Sequence, residues 1–374
     1  MRLLVGILLL YLLYTGVQWI MKTYWAKELH VRVYCSGDYA YEGEKLELIE
    51  EITNRKPMPL PGLKVKFTTS RFWAFDGEEP GDTTDQYYRS DVFSVGMNER
   101  IRRSYPFTCR KRGYYVLGDV DVFASDYFYT REYVQRQKNQ QWIYVFARKV
   151  KSPQVTECFR YLLGEVQTRR RLHEDSFTFS GIRDYQSYDS IRRMNWNATA
   201  KTGELKVNCY DYTAEQSVHI LLFFEQKNVD WDKNMEEYVI SLAGTLAEEF
   251  LQRKVSVAVT SNGLDVENGK PVMVGMGAGE NHLRSIHEGM ARIDLEQRER
   301  SLQEDESFLR DAMQKDDFYI LLTTSQSSRL QKVLLEKQGK AVDFQWILPH
   351  YEMEQVKIEP GLQERMLDLV TELE

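Results

Sequence analysis

Nineteen residues without a charge, Leu3 to Met21 (LLVGILLLYLLYTGVQWIM), constrain this chain before anything else does. As a helix rising about 1.5 Å per residue they span about 28 Å, close to the roughly 30 Å hydrocarbon core of a bilayer. Trp19, Tyr24 and Trp25 stand at the far end, where an interfacial aromatic belt belongs. The rival is a cleaved signal peptide. Val17-Gln18-Trp19 and Met21-Lys22-Thr23 are too bulky for its small-x-small cleavage site. The expectation is a single-pass anchor over residues 1–26, embedded through residues 3–21. Lys22, Lys27 and Arg32 on one flank against Arg2 on the other lean toward a cytoplasmic soluble part.

A chain of 374 residues has room for two soluble modules behind that anchor. Cys35, Cys109, Cys158 and Cys209 are scattered, with no C-x-x-C, which suits neither a zinc site nor a disulfide scaffold. The six histidines show no H-E-x-x-H spacing. Residues 213–374 hold 17 Lys/Arg against 30 Asp/Glu, a balance near −13. The total of −7 leaves about +6 for the first 212 residues. No run of Lys/Arg interleaved with aromatics points to nucleic acid.

Between residues 27 and 150 the grammar is that of strands. Val31, Val33 and Cys35 alternate, as do Leu46 and Leu48, then Leu63, Val65 and Phe67. Asn54-Arg55-Lys56-Pro57 and Pro59-Leu60-Pro61-Gly62 punctuate between them. Several short strands with turn signals predict a small β-sandwich. Phe75 to Asp91 reads as a polar, exposed loop. Its Asp76, Glu78, Glu79, Asp82 and Asp85 fit no calcium-loop spacing.

From residue 213 to 374 strands alternate with helices. Val218 to Phe224 is a continuous apolar run, as in a strand buried on both faces. Met235, Val239, Leu242, Leu246 and Phe250 then fall at helical spacing. Val255 to Val259 reads as a second strand closed by Ser261-Asn262-Gly263, and Val272 to Val274 as a short third. Phe318 to Leu322 and Val342 to Leu348 are further strands, and Gly361 to Leu373 reads as a closing helix. This alternation predicts a doubly wound parallel sheet, whose ligands bind beyond the strands' carboxyl ends. Those ends are Phe224 to Asn228, Thr260 to Gly263 and Thr323 to Ser328. Neither G-x-G-x-x-G nor a P-loop comes after the first strand, and Gly275 to Glu280 (GMGAGE) reads as a flexible turn. No cofactor is expected.

Residues 151–212 connect the two modules and hold the densest cluster of charges and aromatics, Ser180 to Val207. Neither helical nor strand period accounts for Gly181 to Trp196. Its run G-x-R-x-Y-x-x-x-D-x-x-R-x-x-x-W-x-x-T-A is carried by Gly181, Arg183, Tyr185, Asp189, Arg192, Trp196, Thr199, Ala200 and Lys201. That run resembles the signature of the domain of unknown function 58 family. The order of segments resembles the family too, nearly along the whole chain: membrane anchor, β-sandwich-like segment, signature, von Willebrand factor A-like α/β domain. The resemblance therefore implies an α+β multidomain chain. Two positions depart from it. Tyr188-Asp189 stands where Gly-Asp is common, and one membrane helix stands where a hairpin of two is common.

The resemblance further implies a protein partner, a MoxR-type AAA+ ATPase in a membrane-linked chaperone or assembly system. Von Willebrand A domains often hold Mg²⁺ through D-x-S-x-S after the first strand. Here Glu225 takes the aspartate position, Lys227 the first serine and Val229 the second. An ammonium beside a divalent cation is repelled and valine offers no oxygen, so this is a degenerate site and no metal is expected. Asp230 and Asp232 are the remaining candidates for a displaced one.

For Arg183, Asp189, Arg192 and Trp196 two readings stand, an interaction surface or a buried ion-pair loop joining the modules. The segment has no His or Cys, so no catalytic residue is assigned. The leading expectation is a membrane-anchored, non-enzymatic adaptor that binds protein partners. The alternatives are a hydrolase with its site near Thr260, Thr323 and Ser325, and an adhesion module.

Overall fold

The computed structural model describes residues 2–75, 86–170, 179–186, 189–210, 216–225, 232–296, 302–315 and 317–371. Its contacts divide the chain into two units, Met1–Arg148 and Lys149–Glu374.

The first unit opens with helix α1 (Arg2–Tyr24). Leu3–Tyr24 has a mean hydropathy of 2.0, which makes it a candidate membrane span. Eleven strands come next: β1 (Leu29–Cys35), β2 (Tyr39–Tyr41), β3 (Lys45–Asn54), β4 (Leu60–Ser70), β5 (Trp73–Phe75), β6 (Gln86–Val95), β7 (Arg100–Cys109), β8 (Gly113–Leu117), β9 (Val120–Ser125), β10 (Glu132–Gln137) and β11 (Gln141–Phe146). They form three sheets, ordered β1-β3-β7-β5, β10-β9-β4-β6 and β2-β11-β8. Period-2 alternation drives this. In β1, Leu29, Val31 and Val33 are buried while His30 and Arg32 are exposed. Trp73 stacks on Phe107 at 4.6 Å between centroids. Met21 and Trp25, past the middle of α1, belong to the same core. The buried Asn54 ties two turns by donating to the Met58 and Gly96 carbonyls at 2.9 and 2.7 Å.

One reading of this unit changes. Residues 86–91 are strand, not loop: β6 pairs with β4 along its length because Phe93 and Val95 must be buried. Asp76, Glu78, Glu79, Asp82 and Asp85 lie outside the described residues. Cys35 and Cys109 here, and Cys158 in the second unit, are free, and burial pushes each thiol up to about 12.

The second unit begins with α2 (Pro153–Arg170), β12 (Phe179–Asp184), α3 (Trp196–Thr202) and β13 (Lys206–Tyr210). Then come β14 (Ser217–Leu222), α4 (Lys233–Gln252), β15 (Ser256–Asp265), β16 (Pro271–Gly277), α5 (Glu280–Ala291) and β17 (Ile293–Asp294). It closes with α6 (Leu302–Ala312), β18 (Phe318–Leu322), α7 (Ser328–Gly339), β19 (Asp343–Tyr351) and β20 (Met366–Thr371). The main sheet runs β16-β15-β14-β18-β19-β20, with β17 pairing β15. Five strands from β15 to β20 are parallel, and β16 and β17 are antiparallel to β15. The sheet is thus mixed at one edge, not wholly parallel.

Four details of this unit differ from the sequence expectation. The chain does not end as a helix over Gly361 to Leu373. A 3₁₀ turn at Pro360–Arg365 leads into β20, which pairs with β19 and buries Leu369. Strand β15 continues through Ser261-Asn262-Gly263. Gly263 permits this, because a Cβ there would meet Ile293 Cγ2 at 2.5 Å. Gly275 to Glu280 is not a free turn but the end of β16, joined to the Gly279 cap of α5. The connector contains α2, whose Val155, Phe159, Leu162 and Val166 are buried at helical spacing. Phe159 packs edge-on against Phe250 of α4 at 5.0 Å.

Candidate functional site

The signature residues fold as a small unit of their own. Strand β12 pairs antiparallel with β13, with a register shift between Phe179 and Gly181. A segment without apolar period is therefore a strand, held by backbone pairing and not by a buried face. Arg183 donates from both guanidinium nitrogens to Asp189, each at 2.6 Å. The Gln186 N–H adds 2.9 Å to the same carboxylate. The bonds from Arg183 hold the Asp189 carboxyl below the usual carboxylate range; partial burial opposes them, and the Gln186 N–H helps. The staple is sheltered on one side only: the Arg183 side chain is 42 % exposed and that of Asp189 6 %.

Asn195 organises the short helix α3 and its contact with β13. Its Oδ1 accepts the Ala198 N–H at 2.9 Å and caps α3, while its Nδ2 donates to Asn208 Oδ1 at 2.8 Å. Thr199 Oγ1 accepts the Lys206 N–H at 3.0 Å. Gly203, at φ 75°, closes α3 in the left-handed region, its N–H bonded to the Thr199 carbonyl. Asn195 is absent from the residues that the sequence reading selects, although Asn before a short helix is a capping signal. Asn195→Ala should cost about 1 kcal/mol, and Asn195→Asp should retain most of that. Loss of amide-exchange protection confined to α3 and β13 is the expected readout.

Among the described residues of this unit little beyond Val207 is buried. Trp196 is 63 % exposed, Ile191 68 %, Ile182 48 % and Leu205 46 %. Arg192, Ala200 and Lys201 are exposed beside them, and Tyr185 and Thr199 are half-buried. A Cβ on Gly181 would meet nothing within 4 Å. Ser187 and Tyr188 lie outside the described residues.

A second cluster forms where the main sheet switches direction, at the carboxyl end of β14 between β15 and β18. Here Asn262 is the organiser. Its Oδ1 accepts the Phe224 N–H at 2.8 Å, and its Nδ2 donates to the Phe224 carbonyl at 2.7 Å and to Asp305 Oδ1 at 3.1 Å. The Ser325 hydroxyl donates to the Glu225 carboxylate. The Ser325 N–H donates to Thr323 Oγ1 at 3.1 Å, and Ser327 caps α7. Phe223, Glu225, Asp305, Ser327, Arg329 and Leu330 line a shallow cleft there. Thr260 pairs with Leu221, one residue short of this end. It is half-buried within β15, because that strand runs on past it.

Chemically this cluster is a hydrogen-bond knot. A carboxylate touching a serine without an imidazole between them is a poor activating base. Asp232, a candidate for a displaced metal site, is engaged elsewhere. It caps α4 through the Asn234 N–H at 2.8 Å and accepts from Tyr351 Oη at 2.7 Å. Burial, and after it the hydrogen bond to Asp232, pushes Tyr351 up to about 12. Lys227, Val229 and Asp230 lie outside the described residues. Among the described residues no group of three His, Cys, Asp or Glu side chains is placed to hold a metal ion.

Comparison with known proteins gives one family. Residues 181–340 match the model of the family described as "Protein of unknown function DUF58". The matched stretch begins at the first signature glycine and includes the strand-end cluster. No curated protein matches the chain. Among solved structures the chain is similar to the CARDB domain of the PF1109 protein from Pyrococcus furiosus, at 16 % identity and a TM-score of 0.21, over 32 % of this chain and 94 % of that one. It is also similar to Spo0M, a sporulation control protein from Bacillus subtilis, at 10 % identity and a TM-score of 0.18, over 42 % of this chain and 58 % of that one. Likenesses this slight carry no argument about fold or activity.

Proposed function

We propose that this chain, with its DUF58 domain, is a membrane-anchored, non-enzymatic adaptor that presents the signature unit to a protein partner. The carrying observation is the exposure of four large apolar side chains in this small unit, Ile182, Ile191, Trp196 and Leu205, together with the exposed Arg192 and Lys201. A large aromatic and two isoleucines left in water beside cations are the makings of an interface centre. The frame that carries them, stapled by Arg183–Asp189 and capped by Asn195, holds them in one arrangement. In this reading the first unit is β-sandwich-like and serves as a stalk. The second is von Willebrand factor A-like with a degenerate ion position at Glu225.

The partner class is the one the family resemblance implies, a MoxR-type AAA+ ATPase on the cytoplasmic face. Its recovery with full-length chain from solubilised membranes, and its loss in Trp196→Asp and Ile191→Asp, is the expected result. Recovery equal in the wild type and both variants removes the signature face from the interaction. Protease treatment of intact cells checks the side: digestion of the soluble units would put them outside.

The Ser325–Glu225 contact supports a second reading, hydrolysis at the strand ends. Turnover of simple esters by the full chain, abolished in Ser325→Ala, would favour it over the adaptor.

A further inference from the structure

The β9–β10 loop, Asp126 to Arg131, lies against the middle of α1 and not beyond its end. Phe128 packs on Tyr14 at 5.2 Å between ring centroids, and Tyr14 Oη meets Thr130 Oγ1 at 3.4 Å. Tyr14, Gln18, Met21 and Trp25 recur at spacings of four, three and four, which places them on one helical face. The last three are buried in the first unit, with Gln18 donating to Asp126 and Tyr133 donating to Gln18 at 3.3 Å. The rest of the helix surface, from Leu3 to Leu13 and again at Trp19 and Ile20, is exposed and apolar.

Helix geometry sets the depth. Lys22 is the first charge after the apolar stretch and marks the headgroup level. Tyr14 is eight residues earlier, about 12 Å further along the axis. A tilt of about 40° still leaves roughly 9 Å. Whatever touches Tyr14 is carried that far toward the bilayer interior.

The loop is built for such a place. Four of its backbone N–H groups are satisfied from within: those of Phe128 and Thr130 donate to Asp126 Oδ1 at 3.2 and 2.7 Å. The Tyr129 N–H donates to the Asp126 carbonyl at 3.1 Å, and the Asp126 N–H to the Arg131 carbonyl at 3.0 Å. The Tyr127 and Tyr129 hydroxyls turn inward to the Pro59 and Pro61 carbonyls, at 2.9 and 3.5 Å. Tyr127, Phe128 and Tyr129 remain 37 %, 52 % and 67 % exposed. Arg131 at the rim is exposed and can reach lipid phosphate.

We propose that Tyr127, Phe128 and Tyr129 form a second membrane contact, inserted among lipids at the boundary of headgroups and acyl chains beside α1. The bilayer is the occupant because the patch is continuous with a helix that needs one. Aromatic rings with one polar handle are the side chains that favour this layer. The contact fixes the first unit against the membrane surface, and it rests on α1 crossing the bilayer.

The test uses full-length chain in phosphatidylcholine–phosphatidylglycerol vesicles, with the four native cysteines changed to alanine. A polarity-sensitive fluorophore is attached at single cysteines: Phe128→Cys, Tyr129→Cys, Leu9→Cys in α1 and Val116→Cys in β8. Thermal melting confirms folding of each. The expected result is blue-shifted emission at positions 128 and 129, quenched more by lipid doxylated near the headgroup than near the chain end. Position 9 should be quenched most by the deep label and position 116 by neither. Quenching at 9 with 128 and 129 behaving like 116 overturns the contact alone. No quenching at 9 overturns the anchor, and the contact with it.

Discussion

Thermal unfolding of the two units should respond to pH in opposite directions between pH 8 and pH 4. In the first unit Glu50 is fully buried, and burial, then the charge of Asp91, pushes it up to about 8 from an ordinary 4.5. Folded chain keeps a proton there that unfolded chain releases. The contribution is complete below about pH 4.5 and is lost as pH rises through 8. At about 1.4 kcal/mol per unit this is roughly 5 kcal/mol. In the second unit burial pulls His287 down to about 4 from 6.5. Here unfolded chain takes the proton, so the contribution is complete above pH 6.5 and is lost as pH falls through 4, roughly 3 kcal/mol. His350 works against it by a smaller shift. Burial lowers His350, but the Tyr351 carbonyl and Asp368 outweigh that and raise it, so its contribution fades as pH rises above 6.5. Calorimetry should show the first unit gaining and the second losing stability on acidification. Glu50→Gln should flatten the first response and His287→Leu the second. Parallel movement of both transitions, or slopes untouched by the two substitutions, would show these burials to be wrong.

Legibility in the sequence tracks burial. The runs Val218 to Phe224 and Phe318 to Leu322 announce central strands because apolar side chains are needed on both faces there, and all five residues of β18 are buried. The uncharged Leu3 to Met21 announces a helix by its length and apolarity, although most of it is exposed in the structure. Strands held mainly by backbone pairing leave no such trace. β12 offers the exposed Ile182 and Arg183, and β20 buries only Leu369. α2 is readable in the spacing of Val155, Phe159, Leu162 and Val166 but is hidden by the charges between them. The signature marks its own place. That its tryptophan faces water is not readable, because composition does not tell a stapled surface from a buried one. At the strand ends Ser261-Asn262-Gly263 has the chemistry of a turn, and only the approach of Ile293 to Gly263 shows why it stays a strand. Reading a turn there points to Thr260 and passes over Asn262.

Asn262→Ala should therefore be the most damaging polar substitution in the second unit. β14 and β15 pair as far as Leu222 and Ser261, and beyond that point the Asn262 side chain takes over. It is 5 % exposed, and it satisfies both backbone groups of Phe224, itself 3 % exposed. Removing it takes one buried hydrogen bond each from the Phe224 N–H, the Phe224 carbonyl and Asp305. A buried hydrogen bond contributes about 1 kcal/mol, so the loss of these bonds should cost roughly 3 kcal/mol in urea denaturation. Asn262→Asp should be no better, since its second oxygen would face the Phe224 carbonyl and the Asp305 carboxylate. Thr260→Ala, half-buried two residues away, should cost under about 1 kcal/mol. The knot also sets where Glu225 meets Ser325, so Asn262→Ala should free the Ser325 amide to exchange while α5 stays protected. Equal losses from Asn262→Ala and Thr260→Ala would mean that the sheet's backbone pairing alone holds the switch point, and the convergence of Glu225, Thr323 and Ser325 would then owe nothing to this side chain.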